Sequence, residues 1–244
     1  MFRFIGAAVW TVLFLILSIP FILVFFLLRF ICPKFVANAS QTIVCGAFRM
    51  VYFISGVKLT VIGKENLSKD TPVLLVPNHR SIFDIIVTYP ECIMQTGYVA
   101  KKETSKIPVF SLWMRLMNCQ FLDRKDLRKG LKVINKSAEL IKSGKSMCIF
   151  PEGTRNKGTE PLLPFHDGSL KIAEKAECPV VPVAINNTEE IFEAHFPKIK
   201  KTHVIIEFCK PIETKGLSRA EIREVSVKAQ EALKEAYLRN QKLI

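Results

Sequence analysis

Residues 72–84 read Pro-Val-Leu-Leu-Val-Pro-Asn-His-Arg-Ser-Ile-Phe-Asp, an apolar run that leads directly into a histidine and, five residues later, an aspartate. The apolar run predicts a buried strand, and the Ser81-x-x-Asp84 pattern ahead of further apolar residues predicts a helix that starts at about Ser81. Within one continuous helix, five residues would turn two side chains about 140° apart. We therefore expect His79 in the turn and Asp84 in the first helical turn, where the two side chains can meet.

The pairing of His79 with Asp84 suggests proton transfer of the kind used in acyl transfer. A neutral imidazole can take a proton from an alcohol near neutral pH, and a carboxylate on its other nitrogen fixes its tautomer and orientation. An ordinary structural explanation is also open, in which Asp84 only favours the helix start and His79 is a turn residue. The motif alone does not decide between these two interpretations.

The N-terminal region is strongly apolar. No charged residue occurs between Arg3 and Arg29, a run of 25 residues. As a helix this run would be about 38 Å long, enough to cross the hydrocarbon core of a bilayer. A secretory signal peptide is disfavoured because the run is too long and because Arg29, Pro33 and Lys34 precede any cleavage site. The run therefore predicts a membrane segment.

Prolines divide this N-terminal region. Pro20 interrupts the apolar run, Pro33 ends it, and residues 35–55 form a second, shorter apolar segment. Two arrangements remain open, namely a single tilted span and a two-helix motif sunk into one leaflet with its basic residues at the headgroups. The clearest change in composition follows near residue 57. We expect a membrane-associating helical segment over residues 1–57 and an α/β domain over residues 58–244.

The chain carries a formal net charge of +13. Residues 1–57 contain four basic and no acidic residues, which leaves 31 basic and 22 acidic residues, or +9, in residues 58–244. A positive excess in both parts favours the anionic cytoplasmic face of the cell membrane, with anionic lipids as partners and the active site on that side. No nucleic-acid motif or basic helix with interleaved aromatics occurs, so a nucleic-acid partner is not expected.

The cysteines and histidines do not form a recognisable metal or disulfide pattern. The chain has seven scattered cysteines, an odd number without a C-x-x-C pair. This usage fits a reducing compartment better than a disulfide framework or a zinc site. A metal-ligand spacing such as H-E-x-x-H is also missing from the sequence. We therefore expect an activity without a metal or other cofactor.

From residue 58 onward, strand-like and helix-like runs alternate. The predicted strands are residues 58–62, 72–77, 95–100, 119–122, 146–150, 179–185 and 203–209. The clearest predicted helices are residues 81–88, 105–117, 127–142, 169–177 and 218–239, the last opened by a Ser218-x-x-Glu221 capping box. This order predicts an α/β fold, with a largely parallel sheet flanked by helices and right-handed crossovers.

Polar residues follow four of the predicted strands. Ligands of open α/β sheets bind outside the carboxyl ends of the strands, where these residues are expected to converge. They are His79, then Lys101 and Lys102, then Asp123 and Arg124, and then Glu152, Gly153 and Arg155. Any one basic residue here is better explained as a solvated surface charge, but their common placement predicts a hydroxyl activated beside a bound phosphate.

Four sequence blocks identify a resemblance. In order and spacing they are similar to those of the glycerolipid acyltransferases, and they read Asn78-His79-x4-Asp84, Phe121-Leu122-Asp123-Arg124, Phe150-Pro151-Glu152-Gly153-Thr154-Arg155 and Val181-Pro182-Val183-Ala184-Ile185. The resemblance covers residues 58–210 and is greatest to the bacterial members that acylate lysophosphatidic acid to phosphatidic acid. An N-terminal membrane segment is also usual in that family. One departure is His166-Asp167, which stands where many relatives carry basic residues.

The resemblance implies a role for each matching residue. His79 would be the general base and Asp84 its orienting partner, while backbone N–H groups near Ser81 are a candidate oxyanion hole. The other implied residues would hold the phosphate (Arg124, Arg155 and Lys101 or Lys102), place the acceptor (Glu152, Gly153 and Thr154) and shape the acyl-binding side (Pro182). The implied reaction is direct transfer from an acyl carrier protein or coenzyme A thioester to the sn-2 hydroxyl of lysophosphatidic acid.

Three alternatives remain at this stage. One is a lipid hydrolase or transferase that forms an acyl-enzyme on serine or cysteine, although no G-x-S-x-G elbow occurs and Cys119 and Cys148 fall in predicted strands. Another is an acyltransferase that acts on glycerol-3-phosphate or a different lysolipid. The third is a non-catalytic membrane-binding protein that retains the fold.

Overall fold

A computed structural model of the protein describes residues 1–166 and 168–244, with the side chain of Arg219 also outside the description. Within these residues, seven strands form one sheet: β1 (Lys58–Ile62), β2 (Leu74–Pro77), β3 (Thr96–Lys101), β4 (Gln120–Leu122), β5 (Ser146–Ile149), β6 (Val180–Asn186) and β7 (His203–Phe208). The described α-helices are α1 (Phe2–Leu17), α2 (Ile19–Leu28), α3 (Pro33–Ser55), α4 (Phe83–Thr88), α5 (Phe110–Leu116), α6 (Leu127–Lys142), α7 (Lys171–Ala176) and α8 (Arg219–Gln241).

The strand order is β1-β7-β6-β2-β5-β3-β4, and every neighbouring pair is parallel except β6 with β7. The predicted α/β fold with a largely parallel sheet is therefore confirmed. All residues of β2 and β6 are buried. Strands covered on both faces need apolar residues at every position, which is why these two read as unbroken apolar runs in the sequence.

The predicted elements are found at nearly the predicted positions, with one clear exception. Helix α6 and strand β1 have the predicted bounds, and the Ser218–Glu221 capping box is present. The single helix predicted for residues 105–117 is wrong, because the chain forms a 3₁₀ helix at Lys102–Lys106 and then α5. Pro108 lacks a backbone donor, and Val109 adopts a φ of +60°, so an α-helix cannot run through this point.

The N-terminal segment consists of three helices, because the first arm of the predicted two-helix motif is broken just before Pro20. Helices α1 and α2 meet at Ser18 with a bend of 45°. Among the described residues no single helix is both long and apolar enough to cross a membrane, whereas this bent pair meets the requirement together. The predicted boundary near residue 57 follows α3, whose helix ends at the left-handed Gly56.

Two hydrophobic layers cover the sheet. Side chains alternate between its faces along each strand, so that Leu75 joins the layer with the N-terminal helices while Leu74 joins the layer with α6, α7 and α8. Trp113 of α5 connects the α/β domain to the N-terminal helices in the first layer. Its indole N–H donates to Ser18 Oγ at 2.9 Å, and its ring packs edge-on against Phe25. The N-terminal helices therefore share a core with the α/β domain.

Asn78, directly after β2, ties this strand to β6. Its side-chain amide donates to the carbonyl of Ile185 at 2.9 Å and accepts from the N–H of Ile185 at 2.7 Å, and the residue is fully buried. The side chain thus continues the sheet for one more step beyond the last paired strand residue. These two bonds fix the backbone at the point where the chain leaves β2 and turns toward His79.

Replacement of Asn78 by alanine should lower the free energy of unfolding by about 2–4 kcal/mol, because two buried backbone groups of Ile185 lose their partner. Denaturant unfolding of the purified protein in detergent measures this loss. Gln120→Ala serves as the matched control on edge strand β4, where it removes one half-buried bond to the Asn118 carbonyl and should cost less than about 1 kcal/mol. Equal losses in the two variants would contradict this role for Asn78.

Candidate active site

His79 and Asp84 meet at the carboxyl edge of the sheet. His79 Nδ1 lies 2.8 Å from Asp84 Oδ2, with His79 in the turn after β2 and Asp84 in the first turn of α4. The Asp84 side chain is fully buried, whereas the His79 side chain is 18% exposed. Because Nδ1 is engaged by the carboxylate, Nε2 is the ring nitrogen left for a substrate.

Asp84 is surrounded by donors. Its Oδ2 also accepts from the backbone N–H groups of Arg80 at 2.7 Å and Ser81 at 2.8 Å, and its Oδ1 accepts from the hydroxyl of Thr188. A buried carboxylate needs several such partners to offset its lost hydration. These contacts hold the carboxylate in one orientation, and with it the imidazole of His79.

The backbone N–H groups near Ser81 are all engaged, which argues against the predicted oxyanion hole at that position. Those of Arg80 and Ser81 donate to Asp84, and that of Ile82 donates to Glu193 Oε1 at 2.9 Å. The N–H of Phe83 donates to Ser81 Oγ at 3.0 Å. The serine and aspartate of the helix-start pattern thus stabilise the turn itself.

Residues of the third sequence block position His79. The His79 ring stacks on Phe150 with 4.1 Å between ring centres, and its backbone N–H donates to Glu152 Oε1 at 2.8 Å. The other carboxylate oxygen of Glu152 accepts from the N–H of Leu163 at 2.9 Å. Burial raises the pKa of Glu152. Glu152 therefore supports the His79 backbone, and its contact with the acceptor stays a prediction.

Gly153 and Arg124, which belong to different sequence blocks, lie side by side. Gly153 has a φ of +70°, and a Cβ at this position would lie 3.2 Å from Arg124 Nη1 and 2.7 Å from the ring of His166. A side chain would be excluded here by both the backbone conformation and these neighbours. The sequence departure at His166 is therefore adjacent to Arg124, while Asp167 lies outside the described residues.

The two predicted lysines differ in their surroundings. Lys102 Nζ contacts Asp123 Oδ2 at 2.7 Å, and this bond holds the pKa of Asp123 below its usual value. Lys101 is exposed, with its Nζ 4.0 Å from Glu103 Oε2. Lys101 is the last residue of β3 and Lys102 follows it, so both lie at the end of the predicted strand, but which of them binds phosphate stays a prediction.

The remaining predicted residues occupy contrasting environments. Thr154 and Arg155 are exposed, and Arg155 Nη1 contacts Glu193 Oε1 at 3.1 Å. Pro182 is buried within β6, opposite Val76 of β2. Its proposed influence on the acyl-binding side stays a prediction.

Residues after β6 complete the site, and none of them was predicted from the sequence. Besides Thr188, Glu193 contacts the site, since it accepts from the Ser81 hydroxyl at 2.6 Å. Glu189 Oε1 accepts from Arg80 Nε at 2.6 Å, and burial raises the pKa of Glu189. The rule that identified the other loops applies here as well, because these residues follow the predicted strand at 179–185.

Arg80 links this connection to the third block. Besides its bond to Glu189, its guanidinium donates to the carbonyls of Gly158 at 2.9 Å and Glu160 at 3.1 Å. One side chain thus joins the turn after β2, the loop after β5 and the connection after β6. The geometry around His79 depends on all three segments.

Comparison with known proteins gives consistent matches. The "Probable 1-acyl-sn-glycerol-3-phosphate acyltransferase" of Mycoplasma pneumoniae is 34% identical over 54% of the chain and 51% of its own length. The corresponding protein of Mycoplasma genitalium, also named as probable, is 30% identical over 70% of the chain and 69% of its own length. A crystal structure of the lysophosphatidic acid acyltransferase PlsC from Thermotoga maritima matches with a TM-score of 0.71 and 25% identity, over 93% of this chain and 97% of that one.

The match spans about half the length of several curated relatives, as it covers 56% of the 1-acyl-sn-glycerol-3-phosphate acyltransferase of Borreliella burgdorferi, to which the chain is 30% identical. The family model described as Acyltransferase matches residues 58–186. This range contains His79, Asp84 and the blocks that surround them. The chain therefore belongs to the acyltransferase family.

Proposed function

We propose that the protein transfers a fatty acyl group from an acyl thioester to the sn-2 hydroxyl of lysophosphatidic acid, and so makes phosphatidic acid for phospholipid biosynthesis. The observation that carries this proposal is the buried Asp84 carboxylate, which orients His79 at an edge of the sheet that also holds Arg124 and Arg155. The names of the relatives support the same reaction.

The His79–Asp84 pair supports general-base catalysis. With Nδ1–H donating to Asp84, Nε2 takes the proton of the sn-2 hydroxyl while the hydroxyl oxygen bonds to the thioester carbonyl carbon. The tetrahedral intermediate then expels the thiolate as the carbon–sulfur bond breaks, and the imidazolium returns the proton to sulfur. General-base help contributes roughly 10²- to 10⁴-fold, so the rest comes from alignment of the two substrates and from stabilisation of the oxyanion.

The surroundings of Cys119, Cys148 and Ser81 favour direct transfer without an acyl-enzyme. Cys119 and Cys148 are buried, and burial raises the pKa of Cys119 to about 12 and that of Cys148 well above its usual value. A thiol must ionise to act as a nucleophile, so neither is suited to the task. The Ser81 hydroxyl is held by Glu193 and by the N–H of Phe83.

The acceptor and product are lipids, which fits the exposed apolar surface of α1 and α2. Large side chains such as Phe2, Leu17, Leu23 and Leu27 are more than half exposed. We place the protein at the cell membrane, with its active site on the cytoplasmic side, where acyl carrier protein and coenzyme A thioesters are available. The basic residues of the chain would face anionic lipids, and the reaction needs no metal.

An acceptor panel tests the reaction. The purified protein should acylate lysophosphatidic acid in preference to glycerol-3-phosphate and lysophosphatidylcholine, with acyl coenzyme A or acyl carrier protein as donor. His79→Ala and Asp84→Asn should lower kcat roughly 10²- to 10⁴-fold, because the base or its orientation is lost. Asp70→Asn, at an exposed loop position, is the matched control and should keep full activity. Undiminished transfer by His79→Ala would refute the base assignment.

Arg124→Ala should raise the KM for lysophosphatidic acid roughly 10- to 100-fold, because a charge-assisted contact with its phosphate is lost. The change in kcat should be smaller, since the phosphate is bound alike in the ground state and the transition state. Initial rates at saturating donor measure both constants. Arg223→Ala, at an exposed position on α8, should change neither. A higher KM for the donor alone would move Arg124 to the donor site.

Rapid mixing of the protein with radiolabelled acyl donor, in the absence of acceptor, should leave no label on the protein after denaturation. Direct transfer forms no covalent acyl-enzyme, so label should appear only in phosphatidic acid once acceptor is added. His79→Ala provides the background of non-specific labelling. A stoichiometric, acceptor-sensitive labelled species would establish the acyl-enzyme mechanism instead.

A further inference from the structure

The connection between β6 and β7, residues 187–202, has two sides with different contacts. On one side it meets the active site, where Glu193 holds the Ser81 hydroxyl and contacts Arg155. On the other side it meets α1, where the ring of Phe192 stacks on Phe4 with 5.5 Å between ring centres. The connection therefore lies between the catalytic turn and the apolar N-terminal helices.

Phe196 extends this contact outward. Its ring packs edge-on against Phe192 at 5.4 Å, yet the residue is 73% exposed. At the start of α1, Phe2 is 91% exposed and Ile5 is 51% exposed. Through the Phe4–Phe192 stack, the exposed ring is connected to the exposed apolar face of α1. An apolar surface of this kind, formed by two separate segments, marks a place of contact with another apolar phase.

Three lysines lie within five residues after Phe196. Residues 194–203 include Lys198, Lys200 and Lys201 and contain no acidic residue, and all three lysines are exposed. Arg3, at the start of α1, lies close to Lys201, because both border Gly56. A Cβ on Gly56 would be 3.1 Å from Arg3 Nε and 3.4 Å from Lys201 Cβ, so Arg3 adds a further cation to this cluster.

A cleft lies beside these lysines. It has a volume of about 320 Å³, and its lining includes Lys200, Lys201, His195 and Glu190. Glu190 Oε2 is 2.9 Å from His195 Nε2, so the carboxylate is engaged within the cleft wall. The two lysines can therefore attract an anion of headgroup size.

We propose that the β6–β7 connection is a lipid-binding surface, in which Phe196 inserts among the acyl chains of the leaflet that α1 contacts and Lys198, Lys200 and Lys201 bind phosphate headgroups of anionic lipids. This inference rests on the proposed function, in which the acceptor is itself an anionic membrane lipid. The surface would hold the bilayer against the side of the connection that meets α1, so that only this connection separates the leaflet from Ser81 and His79.

A bilayer fits this surface better than a soluble acidic partner does. An exposed aromatic ring flanked by lysines is the arrangement found at membrane interfaces, where the ring enters the acyl region and the ammonium groups stay at the phosphates. The surface also continues the exposed apolar side of α1, which no described residue covers. Both segments would thus contact one lipid leaflet.

Tryptophan placed at position 196 tests the insertion. In Phe196→Trp, reconstituted into vesicles of phosphatidylcholine and phosphatidylglycerol with brominated acyl chains, the added emission should be strongly quenched. The unsubstituted protein gives the baseline from Trp10 and Trp113. Val227→Trp is the matched control, because Val227 is an exposed apolar residue of α8, in the layer on the other face of the sheet. Equal quenching of the two added tryptophans would overturn the proposal.

Charge reversal tests the headgroup contact. The triple variant Lys198→Glu, Lys200→Glu and Lys201→Glu should raise the apparent KM for long-chain lysophosphatidic acid in anionic vesicles tenfold or more, since each lysine near a charged surface contributes roughly a fivefold affinity. Turnover of a short-chain, monomeric lysophosphatidic acid should stay unchanged. A matching triple reversal of Lys215, Lys228 and Lys234 should affect neither substrate.

The outcomes separate this inference from the proposed function. If the first triple variant loses as much activity on the monomeric substrate as on the vesicle substrate, the lysines belong to the acceptor site and the lipid surface is refuted. If the first triple variant acylates lysophosphatidic acid in vesicles as well as the unsubstituted protein does, the lipid surface is refuted and the proposed function stands. If the unsubstituted protein acylates neither form of lysophosphatidic acid, the proposed function itself fails.

Discussion

The buried carboxylate of Asp84 is the constraint on which the site depends. A negative charge removed from water must be met by donors, and here they come from the imidazole of His79, two N–H groups of the turn and the hydroxyl of Thr188. Thr188 follows β6 and His79 follows β2, so these two strands must be neighbours with their ends level. Asn78 secures that alignment through both backbone groups of Ile185. The geometry of the proposed site and the register of the sheet are thus one requirement.

The fold was predictable in its centre because β2, β5 and β6 are buried along their whole length, whereas the edge strands β1 and β4 are partly exposed. A strand that cannot expose either side reads as an unbroken apolar run, and that signal marked the central strands. The other strands read as shorter apolar stretches between polar segments, and the described strands lie within about two residues of their predicted bounds. The misplaced elements lie where a single residue overrides the pattern. Pro108 splits the helix predicted for residues 105–117, and the apolar run at the N-terminus bends just before Pro20.

The site was predictable only where its residues share a turn or follow a strand in a recognisable block. His79 and Asp84 are five residues apart, and their contact was predicted because the helix-start pattern placed His79 in the turn and Asp84 in the first helical turn. Thr188, Glu189 and Glu193 lie more than a hundred residues from the groups that they bind in and after the β2 turn, and this proximity follows from the placement of β6 beside β2. Spacing along a chain does not encode strand order, and paired acidic residues in a polar stretch carry no distinct signature.

The antiparallel pairing of β7 with β6 has a consequence for how such a chain can diversify. If β7 were parallel to β6, the connection between them would have to cross one face of the sheet. Packing against that face would then constrain its length. Because β7 is antiparallel, the chain turns back at the edge of the sheet that holds the proposed site. Insertions into such a turn are cheap, because doubling its length adds only about 0.6 kcal/mol of closure entropy. The exposed part of this connection, around Phe196, can therefore change in length while the buried Thr188 keeps its contact with Asp84.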